Sequence, residues 1–241
     1  MKAKDRLIVA LDVEALDKAV ELVEILSPEV EIFKVGIAPF TDYGPQILNT
    51  IEKCGKKVFL DLKFHDIPNT VKNAACVASK KGVFMMNFHC LGGKKMMEAA
   101  AKSCDGACAV SGNKKPILLG VTVLTSMGGE DLEETGIAGP LEKRVLALAA
   151  LAKEAGLDGV VASAKEARAI KKELGKHFIV VTPGVRPSWA EEGDQKRILT
   201  PRRAIEEGAD YIVVGRPIIE ADDPLLAAKR IIEEIEEAHS K

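Results

Sequence analysis

A chain of 241 residues, 47% of them hydrophobic, has enough apolar material for a large core without a disulfide or metal staple. Its 34 Lys and Arg against 36 Asp and Glu leave a net charge of −2, which argues against a nucleic-acid binder, and no apolar run approaches membrane-spanning length. Five cysteines, an odd number without a CxxC pair, fit free thiols in a reducing compartment, and the short N-terminal stretch is not a signal peptide, so a cytoplasmic protein is expected. In chain order, the strand-like runs are 7–11, 32–35, 58–62, 84–88, 117–123, 159–162, 178–182 and 211–214. Amphipathic segments lie between them. In the first, Leu16, Ala19, Val20, Val23 and Leu26 recur at three-and-four spacing, and in the last Leu225, Ala228, Ile232 and Ile235 do so. Eight apolar strands alternating with helices, with no Pro- or Ser-rich linker, predict an α/β fold: a single (β/α)8 TIM barrel filling residues 1–241 as one catalytic domain.

Two connections, 124–141 and 183–200, are long and polar and both follow strands, which places them on the catalytic face of such a barrel. The lysine doublets at 56–57, 80–81, 94–95, 114–115 and 171–172 all fall near element ends with acids close by, and read as solvated termini.

A barrel concentrates its chemistry where strands end. Asp12 closes the first strand, Lys34 lies within the second, and Asp61 and Lys63 end the third. Asn87 and His89 end the fourth, Thr125 and Ser126 follow the fifth, Thr182 ends the seventh, and Gly215 and Arg216 follow the eighth. A structural barrel has no reason to repeat charged residues on consecutive strands, because burying unpaired charge is costly. Alternation puts Asp61 and Lys63 on one face, toward the barrel axis, with Leu60 and Leu62 under the helices. Asp66 follows the strand, and Pro68 suits the first turn of the next helix. Together Asp61, Lys63 and Asp66 form a predicted carboxylate–lysine cluster; a buried salt bridge is the plainer account of the pair alone, and it weakens once Lys34 and Asp12 join. A second constellation, Thr182–Pro187 with Arg186, then Gln195, then Gly215 and Arg216, falls where barrels commonly bind phosphate. The four histidines have no zinc-ligand spacing, and no GxGxxG, Walker loop, HExxH or GxSxG occurs.

These residues carry a resemblance. Leu11-Asp12, Phe33-Lys34-Val35-Gly36, DLKFHDIPNTV from Asp61 to Val71, TPGVRP from Thr182 to Pro187 and VVGRPI from Val213 to Ile218 closely resemble the orotidine 5′-phosphate decarboxylases, in the family's order along nearly the whole chain. LTSM at 124–127 and the stretch after Arg186 fit the bacterial-type sequences. The resemblance implies a cofactor-independent and metal-free homodimer converting orotidine 5′-monophosphate (OMP) to uridine 5′-monophosphate (UMP) in pyrimidine biosynthesis. It implies that Lys63 donates the proton to C6 as an ammonium kept charged by Asp61 and Asp66, with Asp61 beside the departing carboxylate. Asp66 and Thr70 would reach into the neighbouring subunit's site, completing an array of Lys34, Asp61, Lys63 and Asp66. Asp12 and Lys34 would hold ribose hydroxyls and Thr125 the pyrimidine; Arg186, Gln195, Gly215 and Arg216 would bind phosphate, with Asn87 a lesser contributor facing the barrel interior.

Two other readings share these residues. One is a related DxKxxD barrel acting on a sugar phosphate with magnesium, of the ketogulonate-6-phosphate decarboxylase or hexulose-6-phosphate synthase type. The other is a non-catalytic nucleotide-binding protein, for which clustered carboxylates beside an anionic ligand would serve no purpose.

Overall fold

The computed structural model describes residues 1–187, 189 and 199–238. Strands β1 (Leu7–Ala10), β2 (Ile32–Val35), β3 (Lys57–Phe64), β4 (Met85–His89), β5 (Ile117–Val121), β6 (Gly159–Val161), β7 (Ile179–Thr182) and β8 (Tyr211–Val214) pair in parallel and in sequence order, and β8 returns to β1 to close the barrel. Helix α1 (Leu16–Leu26) follows β1, α2 (Ile37–Tyr43) and α3 (Gln46–Lys53) follow β2, α4 (Pro68–Lys80) follows β3, and α5 (Lys94–Ser111) follows β4. Helices α6 (Gly129–Glu134) and α7 (Leu141–Glu154) follow β5, α8 (Ala164–Leu174) follows β6, and α9 (Pro201–Glu206) follows β7. After β8 come α10 (Arg216–Ile219) and α11 (Pro224–Glu237).

Period-two alternation sorts each strand into two cores. Leu7, Val9, Phe33, Val35, Val58 and Leu60 point outward and pack under the helices. Ile8, Ala10, Ile32, Phe59, Met85 and Val213 point inward and fill the barrel. The barrel is therefore a packed interior rather than a pore. Gly120 shows how closely the outer helices press: a Cβ there would lie 2.6 Å from Cys90 Sγ and 2.9 Å from Ala152 Cβ of α7.

Three expectations need correction. One helix per strand is too simple after β2, where Gly44 at φ 53° and Pro45 divide the connection into α2 and α3. The connection 124–141 is not all loop, because Gly128 and Asp131 cap the short helix α6 within it. Strand β3 also runs two residues past Leu62, to Phe64, through an irregularity in its pairing with β4. The buried face of α1 is Ala19, Leu22, Val23 and Leu26, so Leu22 joins the stripe read from spacing while Leu16 and Val20 are only half-buried. Among the doublet lysines, Lys94 and Lys115 pair at the surface as solvated element ends do, with Glu154 at 3.1 Å and Asp105 at 2.8 Å, whereas Lys56 and Lys171 are largely buried, pairing with Glu31 at 3.0 Å and Asp210 at 2.6 Å.

Candidate active site

The inward row of each of the first four strands changes character near its C-terminal end. Ile8 and Ala10 lead to Asp12, Ile32 leads to Lys34, Phe59 leads to Asp61, and Met85 leads to Asn87. Apolar side chains thus form the floor and charged ones the rim of a cavity of about 570 Å³. Its volume is within the range of small-ligand sites.

On the rim the charges form a chain. Lys34 Nζ lies 3.3 Å from Asp12 Oδ1 and 3.5 Å from Asp61 Oδ2, and Lys63 Nζ lies 2.7 Å from Asp61 Oδ1. The side chains of Lys34 and Asp61 keep only 11% and 13% of their accessibility, against 31% for Lys63 and 56% for Asp12. The Lys34–Asp61 contact is therefore the protected link, and the Lys63 ammonium faces the cavity. Gly36 makes room for this chain, because a Cβ there would come within 3.0 Å of Lys34 Nζ and 3.1 Å of Asp12 Oδ1.

The opposite wall comes from loops. Pro183, Gly184, Val185 and Arg186 after β7, and Gly215, Arg216 and Pro217 after β8, line the cavity. The base of the β7 loop is held where Val185 pairs with Leu199 and the Arg186 amide donates to the Leu199 carbonyl at 3.1 Å. Thr125 and Ser126 line the wall after β5. Gln195 lies outside the described residues. Glu220, which no motif points to, also lines the cavity.

The three-residue cluster expected from sequence does not close within one chain. Asp66 is exposed, its Oδ1 accepts the Ile67 amide at 2.6 Å, and it does not line the cavity; nor does Thr70. The whole run from His65 to Thr70 is exposed. Asp66 belongs to the helix approach beyond β3, where it has left the inward row that carries Asp61. Thr182 is likewise turned away: Val181 faces the barrel interior, and the Thr182 hydroxyl is buried without a hydrogen-bond partner.

Beside Lys63, His65 and His89 stack with ring centroids 5.3 Å apart. Burial, then His65, then Lys63 push the His89 imidazole below its ordinary proton affinity. His89 Nδ1 accepts the Leu91 amide at 3.4 Å. Among the described residues, no three His, Cys, Asp or Glu side chains gather as a metal site, and no helix is long and apolar enough to cross a membrane.

Fold and rim together define a (β/α)8 barrel whose cavity is lined by lysines and carboxylates from the β1–β3 side and by glycine- and arginine-bearing loops after β7 and β8. The chain belongs to the orotidine 5′-phosphate decarboxylase / HUMPS family, whose pattern matches residues 5–231. It is 52% identical to the orotidine 5′-phosphate decarboxylase of Syntrophotalea carbinolica over 98% of this chain and 96% of that one. It is 50% identical to the enzyme of that name from Moorella thermoacetica, over 98% of this chain and 94% of the other. Among solved structures, the orotidine 5′-phosphate decarboxylase of Lactobacillus acidophilus superposes with a TM-score of 0.83 at 36% identity, covering 96% of this chain and 99% of that one.

Proposed function

We propose that this protein decarboxylates OMP to UMP, with Lys63 protonating C6. The observation that carries the reading is the Lys63–Asp61 pair, 2.7 Å apart on the β3 side of a cavity whose β7–β8 side is lined by Gly184, Arg186, Gly215 and Arg216. The substrate has the same polarity, with a reacting carboxylate on the ring at one end and a phosphate at the other.

Breaking the bond between C6 and its carboxyl group leaves the electron pair on C6, in an sp2 orbital outside the ring π system, as CO2 departs. A fixed ammonium beside C6 stabilises that pair and then delivers its proton to it; the neutral amine regains a proton from water. The carboxylate of Asp61 would lie beside the departing group and hold the ammonium. Asp12 and Lys34 would bind ribose hydroxyls and Thr125 the base. Phosphate would fall to Arg186, Gly215 and Arg216, and to Gln195 among the residues not described. Phosphate lies far from C6, so its binding energy acts by fixing the ring against the rim.

The exposed run His65–Thr70, with Ile67 retaining 67% of its surface, supports a homodimer in which Asp66 and Thr70 complete the partner's site. The same reading makes the whole chain one catalytic domain acting in the cytoplasm, needing no cofactor.

Loss of OMP absorbance on adding purified protein tests the activity, repeated with Lys63→Ala and in EDTA. Turnover that survives EDTA and vanishes in the variant is expected. An inert wild-type protein defeats the reading, and turnover of a sugar phosphate only with magnesium would favour the sugar-phosphate barrels.

A further inference from the structure

We infer that Asn87 is a positioning residue of this site: its carboxamide holds the main chain of Lys63 in a left-handed conformation and ties Asp61 to it, so the ammonium is aimed before substrate arrives. The inference rests on the proposed decarboxylation for its kinetic readout, though its geometric basis is independent.

Lys63 has φ 50° and is the only non-glycine at positive φ among the described residues. That conformation crowds Cβ against the backbone, and a long side chain adopts it only where the surroundings impose it. The imposing feature is a slip between strands. From the pair Leu60–Met86 to the pair Phe64–Phe88, β3 advances four residues while β4 advances two. Asn87 is the residue of β4 opposite this excess.

A bulge of this kind leaves an amide without its ladder carbonyl. Here the amide is that of Lys63, and it donates to Asn87 Oδ1 at 2.8 Å. The other end of the carboxamide, Nδ2, donates to Asp61 Oδ1 at 2.6 Å. The orientation of the amide is fixed by chemistry, because the Lys63 N–H can only donate and the Asp61 carboxylate can only accept. Asp61 Oδ1 also takes the Lys63 ammonium at 2.7 Å, so one side chain touches both the backbone and the ion-pair partner of the same lysine.

Asn87 is fully buried and does not line the cavity. It therefore works through Lys63 and Asp61 rather than on a ligand. Buried amides in a barrel interior are costly unless both ends are satisfied. Both ends are satisfied here by the two residues whose placement matters most.

The test compares wild type, Asn87→Ala and Asn87→Asp. For Asn87→Ala, kcat should fall by about 100-fold, as for a misplaced reacting group, with KM and UMP affinity within about threefold of wild type. In Asn87→Asp a second carboxylate faces Asp61 at hydrogen-bond distance, so activity at neutral pH should fall further. On acidification the protonated acid regains an O–H for Asp61 and a C=O for the Lys63 amide, so its kcat should rise relative to wild type as pH falls.

A folded Asn87→Ala with kcat within threefold of wild type, or a loss confined to KM, overturns the inference. If Asn87→Ala does not fold, the Asn87→Asp profile decides, and one running parallel to wild type overturns it. If wild type itself does not turn over OMP, the proposed function fails separately. Crystal structures of wild type and Asn87→Asp then decide, and an unmoved Lys63 backbone and Asp61 in the variant would sink the inference.

Discussion

The two ends of the cavity are held by different means. At the rim of β1–β4, side chains from consecutive strands bind one another: Asp12 to Lys34, Lys34 to Asp61, Asp61 to Lys63 and Asn87. Lys34, Asp61 and Asn87 lie within β2, β3 and β4, Lys63 lies in the slip of β3, and Asp12 follows β1 by two residues. At the far end, the loops after β7 and β8 offer Gly184, Arg186, Gly215 and Arg216 from connections rather than from strands. The difference fits the two tasks proposed for these groups. Stabilising charge that exists only in the transition state demands groups that do not reorganise, whereas gripping a phosphate present throughout the reaction rewards backbone amides and a bidentate guanidinium that can close on it.

That contrast makes quantitative expectations, beginning with the rim. Lys63→Ala should lower kcat by at least about 10⁴-fold, since on the proposed mechanism it removes both the proton donor and the fixed positive charge. UMP affinity, measured by calorimetry, should change far less; a large loss of affinity with kcat preserved would place Lys63 in binding instead. Arg216→Ala should cost roughly 2–4 kcal/mol in kcat/KM as a lost charge-assisted contact. An effect below about tenfold would remove Arg216 from the phosphate end and dissolve the comparison.

Smaller changes probe how finely each end is fitted. Gly36→Ala puts a methyl group 3.0 Å from Lys34 Nζ, so one link of the rim must shift. We expect a rise in KM of about three- to tenfold with modest loss of stability, as for a small overpacking. An unchanged KM would mean that the Lys34–Asp12 contact contributes nothing to binding.

The weakest effect concerns stability rather than catalysis. Burial, His65 and Lys63 lower the His89 proton affinity from its ordinary value of 6.5. The unfolded chain then binds that proton more readily than the folded one, so stability is intact above 6.5 and is lost as pH falls below it toward the depressed folded value. Replacing His89 with Gln should therefore shrink the Tm loss between about pH 7 and pH 5 by a few degrees. An identical acid limb in the variant would assign the loss to other groups.

Much of the site could be read along the chain because it depends on position within strands. Alternation places Asp61 inward with Phe59 and Lys34 inward with Ile32, whatever the rest of the molecule does. The residues after β7 and β8 were legible through glycine and arginine in adjacent short motifs. Asp66 could not be placed by the same alternation, because the chain leaves β3 at Phe64 and carries Asp66 out to the exposed approach to α4, away from its own chain's cavity. Gly36 and Glu220 were missed as cavity-shaping residues because neither a close approach of a Cβ nor a neighbour across the barrel has any local signal.

By itself the sequence determined eight apolar strands, their order and the inward direction of Asp12, Lys34 and Asp61, because the two-residue period and the parallel barrel are set by local chemistry and short connections. Only the tertiary structure decided the slip between β3 and β4, the left-handed backbone at Lys63 and the carboxamide that accommodates both. A register shift is a relation between two strands, and its cost is met by a partner 24 residues away. No window along one strand contains that information.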